Sequence, residues 1–189
     1  MTAHDYLDAQ DKHRLTVEEF LLLDREGAFG DRETELIGGE VWYRSPKHRP
    51  HARIAGELYY RIRQALEKSG SGLSLLSDIS VHLSDHDVPE PDIAITDAPD
   101  GDGILPLESV KLLVEVSDST LAKDLKLKTQ LYALAGVPEY WVADVNGKLI
   151  HQMWAPEGSA YREKRQAKIG EALSAVTIAG LTIDTSGLQ

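Results

Sequence analysis

The sequence predicts an α/β fold of the α+β kind, in which a central mixed sheet carries one helix from early in the chain and one from late. Three features predict it. Short apolar runs of strand length recur along the chain, among them LLVEVS at 112–117 and VPEYWVADV at 137–145. Gly38-Gly39 and Asn146-Gly147 each sit between two such runs as hairpin turns. Two stretches instead repeat apolar residues at helical spacing: Ile54, Leu58, Ile62 and Ala65, then Leu121, Leu125, Tyr132 and Ala135.

Taken in order, Thr16-Val-Glu-Glu19 is a capping box with Leu15 and Phe20 as its hydrophobic staple, which predicts a short helix from about Val17 to Asp24. ETELIGGEVWYRS reads as two strands around the Gly-Gly turn. Pro50 suits the first turn of the next helix, which ends before Gly70, and His51 stands at the start of its inward stripe. Strands follow near 73–76 and 79–83, then a Pro-broken acidic loop. The second helix stops at Gly136, the strand at 137–145 turns back into 148–154, and further short strands occupy 161–183.

With 42% hydrophobic and 27% charged residues, a chain of 189 can bury its own core. The expected division is a flexible N-terminus at 1–13 and a single domain at 14–189. The absence of cysteine excludes disulfides, thiolate zinc sites and cysteine nucleophiles, leaving oxygen or histidine to hold any metal. No long apolar run or signal peptide is visible, so a cytoplasmic protein without a membrane partner is expected. The net charge of −11 argues against a general nucleic-acid coat. Its distribution is uneven: 78–102 holds eight acids and no Lys or Arg, whereas 44–63 holds six bases against Glu57. One pole can hold a cation and the other meet phosphate; two solvated faces of opposite charge fit the same pattern.

The stretch from Pro91 to Lys128 organises the rest. Asp92 opens one apolar strand and Glu115 interrupts another. Alternation puts Leu113, Glu115 and Ser117 on one face of that strand and Val114 and Val116 on the other. A carboxylate in so apolar a run is costly to bury without a partner. Lys128 falls on the inward stripe of the following helix, with Asp124 four residues earlier on the same face. Each residue alone reads as structural: Asp92 as a turn residue, Lys128 as a snorkelling side chain. Together, two acids and a lysine aimed at one place suit Mg²⁺ or Mn²⁺ with a cation beside an attacked phosphate.

The order PD, E-x-S, D-x-x-x-K and YALAGVPEYWVAD, preceded by HRLTVEEFLLLD, ELIGGEVW and SPKHRPHARI, resembles the Uma family. That family is grouped with the PD-(D/E)XK, restriction-endonuclease-like superfamily, and the resemblance covers roughly 13–155. It implies a metal-dependent endonuclease acting on DNA, with Asp92 as the motif aspartate and Glu115 as the second acidic ligand. A backbone carbonyl near Val116 would complete the Mg (or Mn) set. Ser117 stands where the superfamily motif has lysine, and Lys128 matches the lysine moved onto the next helix. His51 matches a histidine after the SP turn, with a substrate or acid–base role, and Asp124 matches an orienting partner for Lys128. A His48–His51 transition-metal pair would lack a third ligand.

Other readings of the same residues are a catalytically inactive nuclease-like module for nucleic-acid binding, regulation or assembly, and a metal hydrolase of sugars or nucleotides. A glycosidase reading leaves Lys128 unused. The apolar hairpin at 137–154 (Tyr140, Trp141, Ile150, Met153, Trp154) further predicts a homodimer through that region or through the C-terminal strands.

Overall fold

The computed structural model describes residues 12–188. The expected loose segment therefore lies, up to residue 11, outside the described residues; His13 is placed, its Nε2 3.0 Å from Glu19 Oε1. The chain divides into two units, one ending at Ser45 and including His82–Pro89, the other taking Pro46–Val81 and everything from Glu90 onward.

In the first unit α1 spans Val17–Arg25 and starts at the expected capping box: Glu19 N–H donates to Thr16 Oγ1 at 3.3 Å, and Thr16 N–H to Glu19 Oε2 at 2.9 Å. These bonds satisfy N–H groups that the first turn leaves without helical partners. The Gly-Gly hairpin is also present, with β1 (Thr34–Ile37) antiparallel to β2 (Glu40–Tyr43). Leu36 bridges to Val88, and Gly38 N–H donates to Asp87 Oδ1 at 2.6 Å.

The second unit begins with α2 (Arg49–Ser69), with Pro50 in its first turn and Gly70 ending it in the left-handed region at φ 63°. Then come β3 (Ser74–Ser77), β4 (Val81–His82, at the boundary between units), β5 (Ile93–Thr96) and β6 (Leu105–Pro106). A single 3₁₀ turn leads into β7 (Val110–Ser117). The expected second helix is in three parts: α3 (Leu121–Lys123), a π turn at Asp124–Lys128, and α4 (Thr129–Ala135). The chain finishes through β8 (Glu139–Asp144), β9 (Leu149–Glu157), β10 (Ala160–Lys168), β11 (Ala172–Ser174) and β12 (Thr182–Asp184).

Six strands form one mixed sheet in the order β10-β9-β8-β7-β5-β3, antiparallel throughout except for the parallel pair β7–β8. A parallel pair needs a crossover, and α3 to α4 supplies it, laying that helical segment over one face of the sheet. The other face receives α2, whose Ile54, Leu58, Ile62 and Leu66 pack with Ile93, Ile95, Leu112, Val114, Val116 and Trp141. Burying each such side chain is worth about 1.5–3 kcal/mol, so α2 is held chiefly by this stripe. Leu66, rather than the expected Ala65, completes it.

On the crossover face, Tyr132 meets Tyr140 edge to face and Tyr140 stacks on Tyr161. The inward stripe here differs from the one expected. Asp124, Lys128, Tyr132 and Ala133 are the buried members, whereas Leu121, Leu125 and Ala135 are half-buried. The reason is the π turn: bonding i to i+5 widens the backbone and changes which side chains face the sheet. Of the hairpin residues named for a homodimer contact, Tyr140, Trp141, Ile150 and Met153 are buried inside this chain and Trp154 is half-buried. No helix among the described residues is long and apolar enough to cross a membrane.

Candidate active site

Asp92 immediately precedes β5, whose Ile93 lies opposite Val114 of β7, so Asp92 stands beside Glu115 and Val116 at one end of the sheet. Its Oδ2 accepts the Val116 N–H at 2.7 Å and also lies 3.1 Å from His51 Nε2, near the start of α2. An ionised carboxylate can only accept, so His51 Nε2 carries the proton of that bond. His51 Nδ1 is buried without a hydrogen-bond partner. Lys47 Nζ lies 3.4 Å from Asp92 Oδ1 and also ion-pairs with Asp78. Burial raises the Asp92 carboxyl, but the His51 bond and charge, the Val116 N–H and Lys47 together outweigh it. The group ends below the ordinary carboxylate range.

Glu115 lies on the crossover face, as strand alternation required. Val114 and Val116 point the other way, into the core beneath α2. Tyr132 OH donates to Glu115 Oε1 at 2.9 Å, and Lys128 Nζ is 3.3 Å from the same oxygen. Lys128 is only 2% exposed and Glu115 6%, so this is a buried ion pair with a hydroxyl bonded to it. The helix following β7 thus delivers its ammonium to the strand's carboxylate.

Ser117 is wholly buried and donates to Asp124 Oδ2 at 2.6 Å, as does Thr120 at 2.6 Å. Burial raises the Asp124 carboxyl, and the two hydroxyls and the Lys128 charge oppose this without cancelling it. Asp124 is therefore close enough to Lys128 to feel its charge. The Asp124 carbonyl closes the π turn by accepting Thr129 N–H, and it also takes Thr129 Oγ1 at 2.9 Å and Tyr140 OH at 3.2 Å. The wider turn leaves both Asp124 and Lys128 buried.

Asp92, Glu115, Val116, Lys128 and His51 thus sit in one connected neighbourhood of the second unit, and His48 is the N-cap of α2, without a side-chain cap bond. Sequence reasoning missed Lys47 and Asp78 as partners of Asp92, although they come from the basic and acidic runs whose opposition was visible. It counted Tyr132 as apolar stripe, where its hydroxyl is what meets Glu115.

Among the described residues no group of three or more His, Asp and Glu side chains stands close enough to hold a metal. A cation here would rest on two carboxylates, a strand carbonyl and water. All are hard oxygen donors, and Mg²⁺ suits them because it keeps several waters and takes only one or two carboxylates. Both carboxylates already face ammonium groups, which supports the fit of this donor set to positive charge.

The family model Uma2, described as "Putative restriction endonuclease", matches residues 17–186. The chain belongs to that family. Among solved structures, a "putative nuclease belonging to DUF820" from Anabaena variabilis ATCC 29413 aligns with a TM-score of 0.68 at 17% identity, covering 92% of this chain and 97% of that one. At that identity the likeness speaks for the fold, a mixed α/β nuclease fold. No curated protein matches the sequence significantly. Within this Uma2 chain Ser117 bonds Asp124, while the ammonium at Glu115 comes from Lys128 in the helical segment that follows.

Proposed function

We propose that the chain is a divalent-metal-dependent endonuclease that hydrolyses DNA phosphodiester bonds. The observation that carries the proposal is the Lys128–Glu115 pair beside Asp92. It supports an acid, acid and lysine grouping of the superfamily kind, with Lys128 in place of the amine that Ser117 lacks. Asp92 and Glu115, with the Val116 carbonyl, would hold Mg²⁺ or Mn²⁺. When bound, the metal supplies Lewis acidity and charge neutralisation for attack on the phosphodiester.

The chain's own groups prepare that attack. His51 and the Val116 N–H fix the Asp92 carboxylate and keep it ionised, so it remains a ligand at neutral pH. Tyr132 fixes Glu115 Oε1. Lys128, buried against Glu115, would orient the attacking water or stabilise negative charge growing on the phosphoryl oxygens. His51 serves as a positioning residue through Asp92.

A second reading is favoured by one observation: an ammonium at each carboxylate also suits a nuclease-like module that binds nucleic acid without cutting it. The two are separated by incubating supercoiled plasmid, linear duplex, single-stranded DNA and RNA with Mn²⁺ or Mg²⁺ at low salt, where an acidic protein retains phosphate contacts. We expect the wild type to nick DNA and Asp92→Asn to be slower by at least about 100-fold, ~2.7 kcal/mol of transition-state stabilisation. Equal cutting by both points to a contaminant. No cutting of any form, with nucleic acid still bound, gives the answer to the module.

A further inference from the structure

The Asp92 carboxylate divides its two oxygens between different kinds of partner. Oδ2 is bound by a backbone N–H and an imidazole, both fixed by β7 and α2. Oδ1 faces the ammonium of Lys47, which is carried on a long flexible stem from the segment just before α2. The same ammonium also pairs with Asp78. Asp78 is held at this spot by its own backbone: its N–H donates to the Asp92 carbonyl at 3.2 Å, and its φ of 49° lies in the left-handed region. Few non-glycine residues adopt that region, and aspartate is among those that do so most readily. The two carboxylates differ sharply in setting, since the Asp78 side chain is 49% exposed and that of Asp92 5%. A water-facing acid thus shares one lysine with a buried acid.

We propose that Lys47, hydrogen-bonded to Asp78 and shared with Asp92, is drawn wholly onto Asp78 when a divalent metal binds, and that this exchange sets the metal affinity of the site. The proposal rests on Asp92 being a metal ligand. A buried carboxylate needs a nearby positive charge. His51 at Oδ2 and Lys47 at Oδ1 share that task, and a divalent cation approaching the carboxylate would repel an ammonium left there. Asp78 already holds the ammonium by a hydrogen bond, so Lys47 leaves Asp92 without losing an ionic partner. A merely structural ion pair would tie the start of α2 to β3 and have no particular bearing on metal.

The test is a titration with Mn²⁺, following free Mn²⁺ by electron paramagnetic resonance with no nucleic acid present. It uses the full chain as wild type, Lys47→Met, Lys47→Gln, Asp78→Asn, the double variant Lys47→Met/Asp78→Asn, and Asp92→Asn. Lys47→Met and Lys47→Gln are expected to bind Mn²⁺ at least about tenfold more tightly than the wild type, ~1.4 kcal/mol. Asp78→Asn is expected to bind more weakly, because the ammonium is then confined to Asp92. That weakening should vanish in the double variant, where no ammonium remains to confine. Affinity of both Lys47 variants within twofold of wild type, with Asp92→Asn abolishing binding, overturns this inference and leaves the metal reading intact. Weakening by Asp78→Asn that persists in the double variant overturns the exchange, since Asp78 then acts only by its own charge. Binding that Asp92→Asn leaves unchanged, or no binding to any variant, overturns both.

Discussion

Replacing Lys128 by methionine keeps length and helix propensity while deleting one charge of the buried pair with Glu115. A lysine buried with no partner would be a liability, and its removal would be neutral or stabilising. The structure gives it a partner, which reverses the expected sign. At 3.3 Å, an effective dielectric constant of 20 gives a gross attraction of about 5 kcal/mol. The loss on mutation is smaller, because Glu115 can escape by taking up a proton. Protonating a glutamate at pH 7 from its reference value near 4.3 costs ~3.7 kcal/mol, which sets the ceiling. Tyr132 still donates to Glu115, so we expect Lys128→Met to lose about 2–3.5 kcal/mol at pH 7. Because the ceiling falls by ~1.4 kcal/mol per pH unit, the deficit should shrink to about 1 kcal/mol at pH 5. Adding Glu115→Gln should recover most of the loss at pH 7, since neither charge is then buried alone. Urea unfolding at both pH values, with fitted slopes compared, measures all of this. A single variant within 0.5 kcal/mol of the wild type at pH 7 would refute the reasoning. So would a deficit of equal size at both pH values.

Three further outcomes follow from the geometry. Ser117→Lys should not recreate the motif lysine: the site is fully buried and bonded to Asp124, so calorimetry should show a loss exceeding about 3 kcal/mol and nuclease assays no gain. Asp92 has a depressed folded value, so its stabilisation is complete above the unfolded carboxylate range and is lost as pH falls through the folded value. Asp92→Asn should therefore flatten the decline in melting temperature below about pH 4, and an unchanged acid limb would count against the charge environment described. Gly39 has φ +79°, and a Cβ there would come within 2.6 Å of Arg14 Cβ. Gly39→Ala should thus cost at least about 2 kcal/mol in chemical unfolding, unlike Gly56→Ala in α2, where a Cβ meets nothing within 4 Å.

Periodicity made much of the fold legible. The capping box at Thr16 and the turn pairs Gly38-Gly39 and Asn146-Gly147 marked elements through local chemistry, and those elements stand where expected. Strand alternation placed Glu115 opposite Val114 and Val116 because a period of two leaves no freedom. The π turn was not legible. Its extra backbone bond depends on Thr129 and Tyr140 reaching the Asp124 carbonyl, contacts that span two elements and have no local signature. Lys47 and Asp78 were hidden for a similar reason. They are 31 residues apart, and only the pairing of β3 with β5 brings Asp78 beside Asp92.

The sheet ends at β10, which carries Arg162, Lys164 and Lys168, all exposed, with Glu163 paired to Arg162 among them. An unpaired strand edge is an open template on which another chain can add itself, and natural sheets guard such edges with charge, above all lysine. Two copies meeting antiparallel along β10 would bring these cations face to face, a pairing that like charges oppose. The excess of positive charge along β10 therefore weighs against sheet-to-sheet pairing at this edge.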